Sequence, residues 1–423
     1  MQATKFARAH KTIPLDTADK PWHGAVAVLQ MSTLVNLLDF DLPGLTRYFE
    51  SLGEKPFRAL QIFQAIHQRG LDSFEAMTDL SQGLRARLTQ DCCVQAPIVA
   101  SEQQSRDGTV KWLLKLADHN HIEMVFIPER RRGTLCISSQ VGCILNCSFC
   151  STGKQGFSRN LSVFEIIGKL WQARHRLKML DDPEHPRAIS NIVMMGMGEP
   201  LLNFDALIAA LSIMRHDKAY ALSKRRVTVS TAGVVPEIDR LSSLIDVSLA
   251  VSLHAPSNDL RDQIVPLNKK YPIEPLMAAC HRYVQARPGR HVTIEYVMLK
   301  GVNDSLAQAR ALATRLQGLA AKVNLIPFNP FFGSDYVCST PETIEAFKQV
   351  LHRAGCFTTV RRTRGDDIDA ACGQLVGRVL DRTYRQQRFL AKRSESMRAI
   401  PLQVDASACN QDNDCEGLLH AAS

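Results

Sequence analysis

Three cysteines fall within the segment GCILNCSFC, at positions 143, 147 and 150, spaced C-x3-C-x2-C. Thiolates are soft ligands that suit zinc or an iron–sulfur cluster. Compact zinc sites usually set a C-x2-C pair against a second closely spaced pair. No second pair is present, because Cys92 and Cys93 are adjacent. A zinc knuckle would need a fourth ligand from elsewhere, with Cys136 as the candidate. A cubane cluster held by Cys143, Cys147 and Cys150 instead leaves one iron without a protein ligand and open to a small molecule. Spacing and position favour the cluster.

Other residues could complete such a site. The turn MMGMGEP (194–200) contains Gly198, which lets backbone approach a ligand, and Glu199, which can accept from an ammonium group. By itself it reads equally well as a tight strand-to-helix connection. Ser230 in VTVSTAG, Ser252 and His254 in VSLHA, and Asn329 in IPFNP each end an apolar run. Singly these are ordinary structural polar groups. At successive strand ends they converge on one mouth, which favours ligand binding. Cys136 precedes the cluster motif by seven residues, and Cys372 lies in RGDDIDAACGQL (364–375). Either alone reads as a buried structural cysteine. Glu123 in HIEMVFIP is either a solvent-facing residue of an alternating strand or a carboxylate made more basic by its apolar neighbours Met124 to Ile127.

These residues need a scaffold. The chain has 423 residues and 45% hydrophobic content, enough for one large domain with smaller attachments. Apolar β-rich runs TLCISS, ISNIVMMG, RVTVSTAG, DVSLAVSLHA, HVTIEYVML and KVNLIPFNP alternate with helical stretches from about residue 134. Strands buried on both faces and separated by helices imply a parallel sheet of β/α units. The fold class is α/β, a partial (β/α)6-type barrel with a small N-terminal all-α accessory domain. The expected divisions are an irregular extension over 1–33, short helices over 34–95, and a β-hairpin connecting segment over 96–133, with a turn near Asp118–Asn120. The barrel then covers 134–385, and 386–423 is a basic, then polar, disordered tail with a helix-like start. No apolar run is long enough to span a membrane, and the N-terminus lacks the apolar region of a secretory signal. A cytosolic location is expected. There, twelve cysteines argue for metal binding or redox chemistry rather than a disulfide scaffold.

The C-x3-C-x2-C loop after a first barrel strand resembles the radical S-adenosylmethionine (SAM) superfamily, as does the aromatic Phe149 before the third cysteine. The segments CISSQVGCILNCSFCSTGKQGFSRNLS, MMGMGEPLLN, VNLIPFNPF and RGDDIDAACGQL narrow the resemblance. They are similar to the bacterial adenine-C2 methyltransferases of 23S ribosomal RNA and transfer RNA, over about Leu34 to Arg385. The resemblance implies a [4Fe-4S] cluster on Cys143, Cys147 and Cys150, with SAM chelating the fourth iron. It implies SAM contacts from Gly198, Glu199, Ser230, Ser252, Leu253, His254 and Asn329. The substrate carbon, C2 of adenine, is an electron-poor amidine carbon that ordinary SAM transfer cannot use. The family is understood to use two SAM molecules: one methylates Cys372, and the other yields the 5′-deoxyadenosyl radical that activates the S-methyl group. The carbon radical then adds to C2, Glu123 accepts the C2 proton, and Cys136 resolves the adduct through a transient disulfide with Cys372. The implied transfer-RNA target is the adenosine next to the anticodon. An external low-potential electron donor and a monomeric state are further expectations.

The formal net charge of +9 is compatible with nucleic acid or with an ordinary solvated surface. Basic residues cluster at Arg130–Arg132, Lys224–Arg226, Lys269–Lys270 and Arg361, Arg362 and Arg364. They are read as patches near the barrel mouth that could hold RNA phosphates. Arg378, Arg382, Arg385, Arg388 and Lys392 fall at helical spacing on one face, which serves RNA or merely solvent. A stacked base must be turned out to reach a buried cluster. Two alternatives remain: the related C8-directed resistance methyltransferases, and a zinc-stabilised RNA-binding module without turnover.

Overall fold

The computed structural model describes residues 34–129, 132–178, 188–287 and 289–398. The expected extension over 1–33, Arg130, Arg131 and the polar end over 399–423 lie outside the described residues.

Two short parallel strands, β1 (Val35–Asn36) and β2 (Cys92–Cys93), close the N-terminal module. Between them lie helices α1 (Leu42–Ser51), α2 (Pro56–His67) and α3 (Gln82–Asp91). Asp41 caps the Gly44 N–H, Ser81 caps the Leu84 N–H, and proline sits in the first turn of α1 and α2. Leu45, Phe49, Ile62, Phe63 and Leu88 are buried among them. LVNLLDF, which opens the span expected to form short helices, is instead β1 followed by one 3-10 turn, Leu37–Asp39. Asn36 is the cause: its Oδ1 accepts from the Leu38 and Gln95 N–H groups, and its Nδ2 donates to the Gln95 carbonyl. These bonds tie the segment to the chain just past β2.

The main sheet begins as an antiparallel meander of β3 (Ile98–Gln104), β4 (Val110–Lys115), β5 (His121–Glu129) and β6 (Arg132–Cys136). The expected turn at Asp118–Asn120 joins β4 to β5. The expected hairpin continues into the barrel sheet, because β5 also pairs with β6. A small antiparallel pair follows, β7 (Gln140–Gly142) and β8 (Phe157–Asn160), with the short helix α4 (Ser151–Lys154) between its strands. The parallel strands after β6 are β9 (Asn191–Met194), β10 (Val227–Thr231), β11 (Ser248–Ser252), β12 (Val292–Met298), β13 (Ala321–Pro327) and β14 (Phe357–Val360). Their order is β14-β13-β12-β11-β10-β9-β6-β5-β4-β3. The six apolar runs read from the sequence are all strands. FTTV, which was not read as a strand, adds β14 as a further parallel strand. It is short and mostly exposed, so it carries no apolar run to betray it.

The crossovers are α5 (Val163–Arg176), α6 (Phe204–Arg215), α7 (Val235–Leu244), α8 (Asn258–Ile264), α9 (Ile273–Gln285), α10 (Leu306–Arg315) and α11 (Pro341–Arg353). Alternate strand residues such as Ile192, Met194, Val229, Leu249, Ile294 and Leu325 are buried in the core under these helices. Each such side chain stabilises by about 1.5–3 kcal/mol relative to exposure. The remaining alternate positions face the barrel interior. The chain ends in α12 (Arg385–Arg398). Among the described residues no helix is long and apolar enough to cross a membrane.

Candidate functional site

The loop from Gly142 to Cys150 hangs between β7 and α4. Gly142 opens it at φ 75°, and a Cβ there would meet the Gly156 carbonyl at 2.2 Å. The close approach lets the Cys143 N–H donate to that carbonyl at 2.8 Å. The Ser148 N–H donates to Ile264 of α8, and the Ser148 and Tyr336 hydroxyls lie 2.8 Å apart. Leu145, Cys147 and Phe149 pack against Ala232, Ile264 and Val265. Arg385 reaches in from the start of α12. Its Nη1 donates to the carbonyls of Cys143, Leu145 and Gly153 at 3.0–3.1 Å, and its Nη2 donates to Ile144 at 3.1 Å.

Burial raises the pKa of all three thiols, reinforced at Cys143 by Cys147 and Cys150 and at Cys147 by Cys150; Cys147 is pushed up to about 12. Bound cations are what would hold three such neighbours as thiolates. No three His, Cys, Asp or Glu among the described residues gather as a single metal ion requires. A cubane makes a different demand, since each thiolate binds a separate iron. Cys136, the candidate fourth zinc ligand, faces another cavity alongside Cys372. The thiols therefore fit a cluster better than zinc.

Beside the loop, Phe149, Cys150, Ser230, Ser252, His254 and Asn329 line one cavity together with Arg361 and Cys372. Four residues read as strand-end polar groups thus meet beside a cluster cysteine. His254 sits at φ 62° and accepts from the Val297 N–H through Nδ1. Burial, aided by Arg261, lowers its pKa to about 3, so the ring is neutral. Its ring meets that of Phe149 edge-on at 4.6 Å. Asn329 accepts from the Thr363 hydroxyl and donates to the Cys372 carbonyl at 3.1 Å.

Gly198, Glu199 and Leu253 are not on that cavity's wall. Gly198 (φ 101°) lies so close to β7 that a Cβ would meet Gln140 at 2.5 Å. Glu199 is buried, and its two oxygens accept from the Leu201 and Ala232 N–H groups at 3.2 and 2.8 Å. Burial pushes its carboxyl up to about 7 against those bonds. In this arrangement Glu199 bridges the ends of β9 and β10. The Leu253 carbonyl accepts from Arg261, a fully buried guanidinium that also donates to Ala232, Ser252 and Asn268.

A second cavity, of about 330 Å³, is lined by Cys136, Cys372, Met195, Asn329 and Arg361, and extends along β5 and β6 to Glu129 and Thr134. Burial, then Cys372, pushes the Cys136 thiol up to about 12. Arg361 belongs to both cavities and is the one cation on the wall of the first. The charges of Cys372, Glu295 and Cys136 favour its cationic form against burial. Glu123 is buried just above, on the same strand face as Val125, which pairs with Cys136. Its carboxylate meets Lys111 Nζ at 3.2 Å and accepts from the Val376 N–H at 2.8 Å. Burial raises its pKa, opposed by Lys111.

The basic patches fall differently from the expectation. Arg132 and Lys224–Arg226 lie at the N-terminal ends of β6 and β10, away from the mouth, because they begin or immediately precede those strands. Arg361, Arg362 and Arg364 follow a strand, β14, and Lys269–Lys270 lie in the connection that leads from β11 to α9. The expected single helical face is not formed: Arg378 and Arg382 precede α12, Arg385 turns inward, and the side chain of Lys392 lies outside the described ones. Arg361 and Arg385 were read only as charges that could face RNA, and Lys111 was not singled out; their places beside the thiols, the cluster loop and Glu123 were missed. Recognising FTTV as a strand would have put Arg361 at a strand end. Even spacing in TVKWLLK carried the only hint that Lys111 faces inward. No local signal marked Arg385.

Comparison with known proteins gives the following. The model described as "Ribosomal RNA large subunit methyltransferase N-terminal domain" matches residues 35–94, and that of the radical SAM superfamily matches residues 137–312. A radical SAM methyltransferase of Sphaerobacter thermophilus shares 44% identity at a TM-score of 0.75, over 81% of this chain and 99% of its own. SuiB of Streptococcus suis bound to S-adenosylmethionine shares 13% identity at a TM-score of 0.41, over 56% of this chain and 55% of its own.

Proposed function

The chain belongs to the RlmN family of radical SAM methyltransferases, which use a [4Fe-4S] cluster and SAM, and on that premise we propose that it methylates C2 of adenine in 23S ribosomal RNA and in transfer RNA, there at the adenosine next to the anticodon. The observation that carries this reading is the placement of Cys136 and Cys372 on one cavity wall, with Cys372 also on the cavity beside Cys150. A thiol reachable from both sides can accept a group in one cavity and deliver it in the other.

Cys143, Cys147 and Cys150 hold the cluster. Ser230, Ser252, His254 and Asn329 form the wall against which SAM lies, while Gly198 and Glu199 shape the turn above β9. When bound, the cluster and SAM supply a methyl group and a 5′-deoxyadenosyl radical. Arg361 and Cys372, the thiol that takes the methyl group, share the walls of both cavities. Once a carbon bond joins the Cys372 S–CH2 group to C2, Glu123 takes the C2 proton and the one unpaired electron left on the ring would return to the cluster, leaving a closed-shell adduct; a raised carboxylate pKa makes Glu123 a better base. Cys136, giving up its thiol proton, then attacks the Cys372 sulfur. The S–S bond forms, the S–CH2 bond breaks, and its electron pair stays on the carbon, which gains a proton to become the methyl product. External thiols reduce the disulfide.

The test is enzymatic. Anaerobically reconstituted protein, reductant, SAM and a hairpin of ribosomal or transfer RNA should yield 2-methyladenosine on nucleoside digestion, identified by mass spectrometry and NMR. A C8-methylated product would transfer the assignment to the sister activity. RNA without any methylated adenosine would overturn the reading.

A further inference from the structure

The lower end of the barrel differs chemically from the upper end, and neither reactive cavity accounts for it. The lowest inward positions of the strands are Arg132 on β6, Asn191 on β9, Thr228 on β10, Ser248 on β11, Thr293 on β12 and Lys322 on β13. In a closed β/α barrel branched apolar side chains dominate such layers. Here these six are polar or basic, whereas the edge strand β14 sets the apolar Phe357 beside Lys322. Arg132, Asn191, Arg225, Arg226 and Thr228 line an open basin of about 310 Å³ whose wall, among the described residues, contains no carboxylate.

The charges in this basin are only partly offset. Arg132 pairs with Glu129 at the rim. Arg226 donates to the Asn191 side chain at 2.9 Å. Arg225 is exposed and has no side-chain partner among the described residues. His291, just before β12, has its pKa lowered first by burial and then by Lys322 and Arg225, so these cations crowd the same strand ends. Thr134 forms part of the wall of both the basin and the cysteine cavity, so the two adjoin. Cys136 and Arg132 are four residues apart on one strand, about 13 Å.

We propose that this basin binds the phosphodiester backbone flanking the extruded adenosine, leaving the base to pass Thr134 toward Cys372. The proposal rests on the RNA reading above and adds the surface that orients the RNA. Guanidinium and ammonium groups that meet phosphates give affinity without sequence readout, and they fix register. The three arginines on the basin wall suit a polyanion, and an open lower end gives the chain on both sides of the base a way out.

The experiment uses the cluster-loaded full chain and a fluorescein-labelled RNA hairpin with an adenosine in its loop. Binding is read by anisotropy across a salt series. The double variant R225A/K322A should flatten the slope of log K against log salt by about 1.5, as expected for two lost phosphate contacts. Its cluster absorbance and Cys372 methylation without RNA should match those of the wild type. R310A, which removes an exposed charge from α10 on the outer layer, should leave the slope unchanged. An unchanged slope in the double variant, or an equal change in R310A, overturns the basin. If the wild type binds no RNA at all, the RNA reading itself fails, which is a different result from a bound RNA that ignores the basin.

Discussion

Two irregular segments carry the reactive thiols, and they are built in opposite ways. The cluster loop (142–150) is clasped by the β7–β8 pair, backed by apolar side chains from α8, and held at four carbonyls by Arg385. The segment carrying Cys372 contains only one 3-10 turn, Asp366–Ile368, between β14 and α12. Its ties are separate and come from distant places: Gly365 to Asp107, Arg106 to Asp367, Gly373 to Ser151, Leu375 to Thr152, Val376 to Glu123 and Leu380 to Asn120. A metal site needs ligands fixed before the metal arrives. Cys372, the thiol proposed to meet a methyl donor, a base and then a second thiol, needs a mount that can shift. Individual hydrogen bonds worth about 0.5–1.5 kcal/mol each give that freedom, whereas a packed loop does not.

Substitutions in the two segments should therefore fail differently. Cys147→Ala should have the largest effect. It should give colourless protein with no SAM cleavage and no product; iron-loaded, SAM-cleaving C147A protein would break the contrast. Cys372→Ala should also lose all product yet keep the brown colour and cleave SAM without coupling. Cys136→Ala should stop later, with Cys372 methylated and a covalent protein–RNA species on denaturing gels. If both variants lose activity alike with no adduct, the division between the two thiols is wrong.

Glu123→Gln comes next. Loss of a positioned base should slow turnover by about 10²–10⁴-fold, with Cys372 methylation retained. Because burial raises the Glu123 pKa and only the ionised form accepts a proton, wild-type turnover should climb with pH through that raised value. The climb should vanish in E123Q, as followed by single-turnover assays across a pH series. A climb that persists in E123Q would assign the base elsewhere.

Arg385→Met should have the smallest effect. It removes the clamp but no ligand. The expected loss is about 1–3 kcal/mol of stability, seen as a lower melting temperature and faster release of iron to a chelator, with turnover per bound cluster unchanged. If turnover per cluster falls instead, Arg385 acts on the chemistry and not on the loop.

The parts of this site legible in the sequence were those encoded within short windows. C-x3-C-x2-C fixes three thiols on one loop because nine residues cannot spread far. Apolar runs showed six barrel strands, and a polar residue ending a run is placed by the strand itself; Ser230, Ser252 and Asn329 were found that way. FTTV failed this test because its strand is edge-exposed. LVNLLDF failed because a short apolar run does not distinguish helix from strand, and a side chain, Asn36, decided the matter through contacts with Gln95. The patches at Arg132 and Lys224–Arg226 were placed at the wrong end, since charge along a sequence has no direction until the strand it precedes or follows is known.

By itself, then, the sequence determined the cluster motif, the alternation of strands and helices, and the candidate thiols. Local spacing and periodicity express these directly, through covalent reach and side-chain alternation. Only the tertiary structure decided that Cys136 and Cys372, 236 positions apart in the chain, face one cavity. It also decided that Glu199 serves its neighbours' backbones, that Arg361 joins the two cavities, that Arg385 grips the cluster loop, and that the arginines before β10 sit below the site. Each of these depends on contacts between residues far apart in sequence. Such contacts are set by the burial of the helices against the sheet and by strand register, which no local window contains.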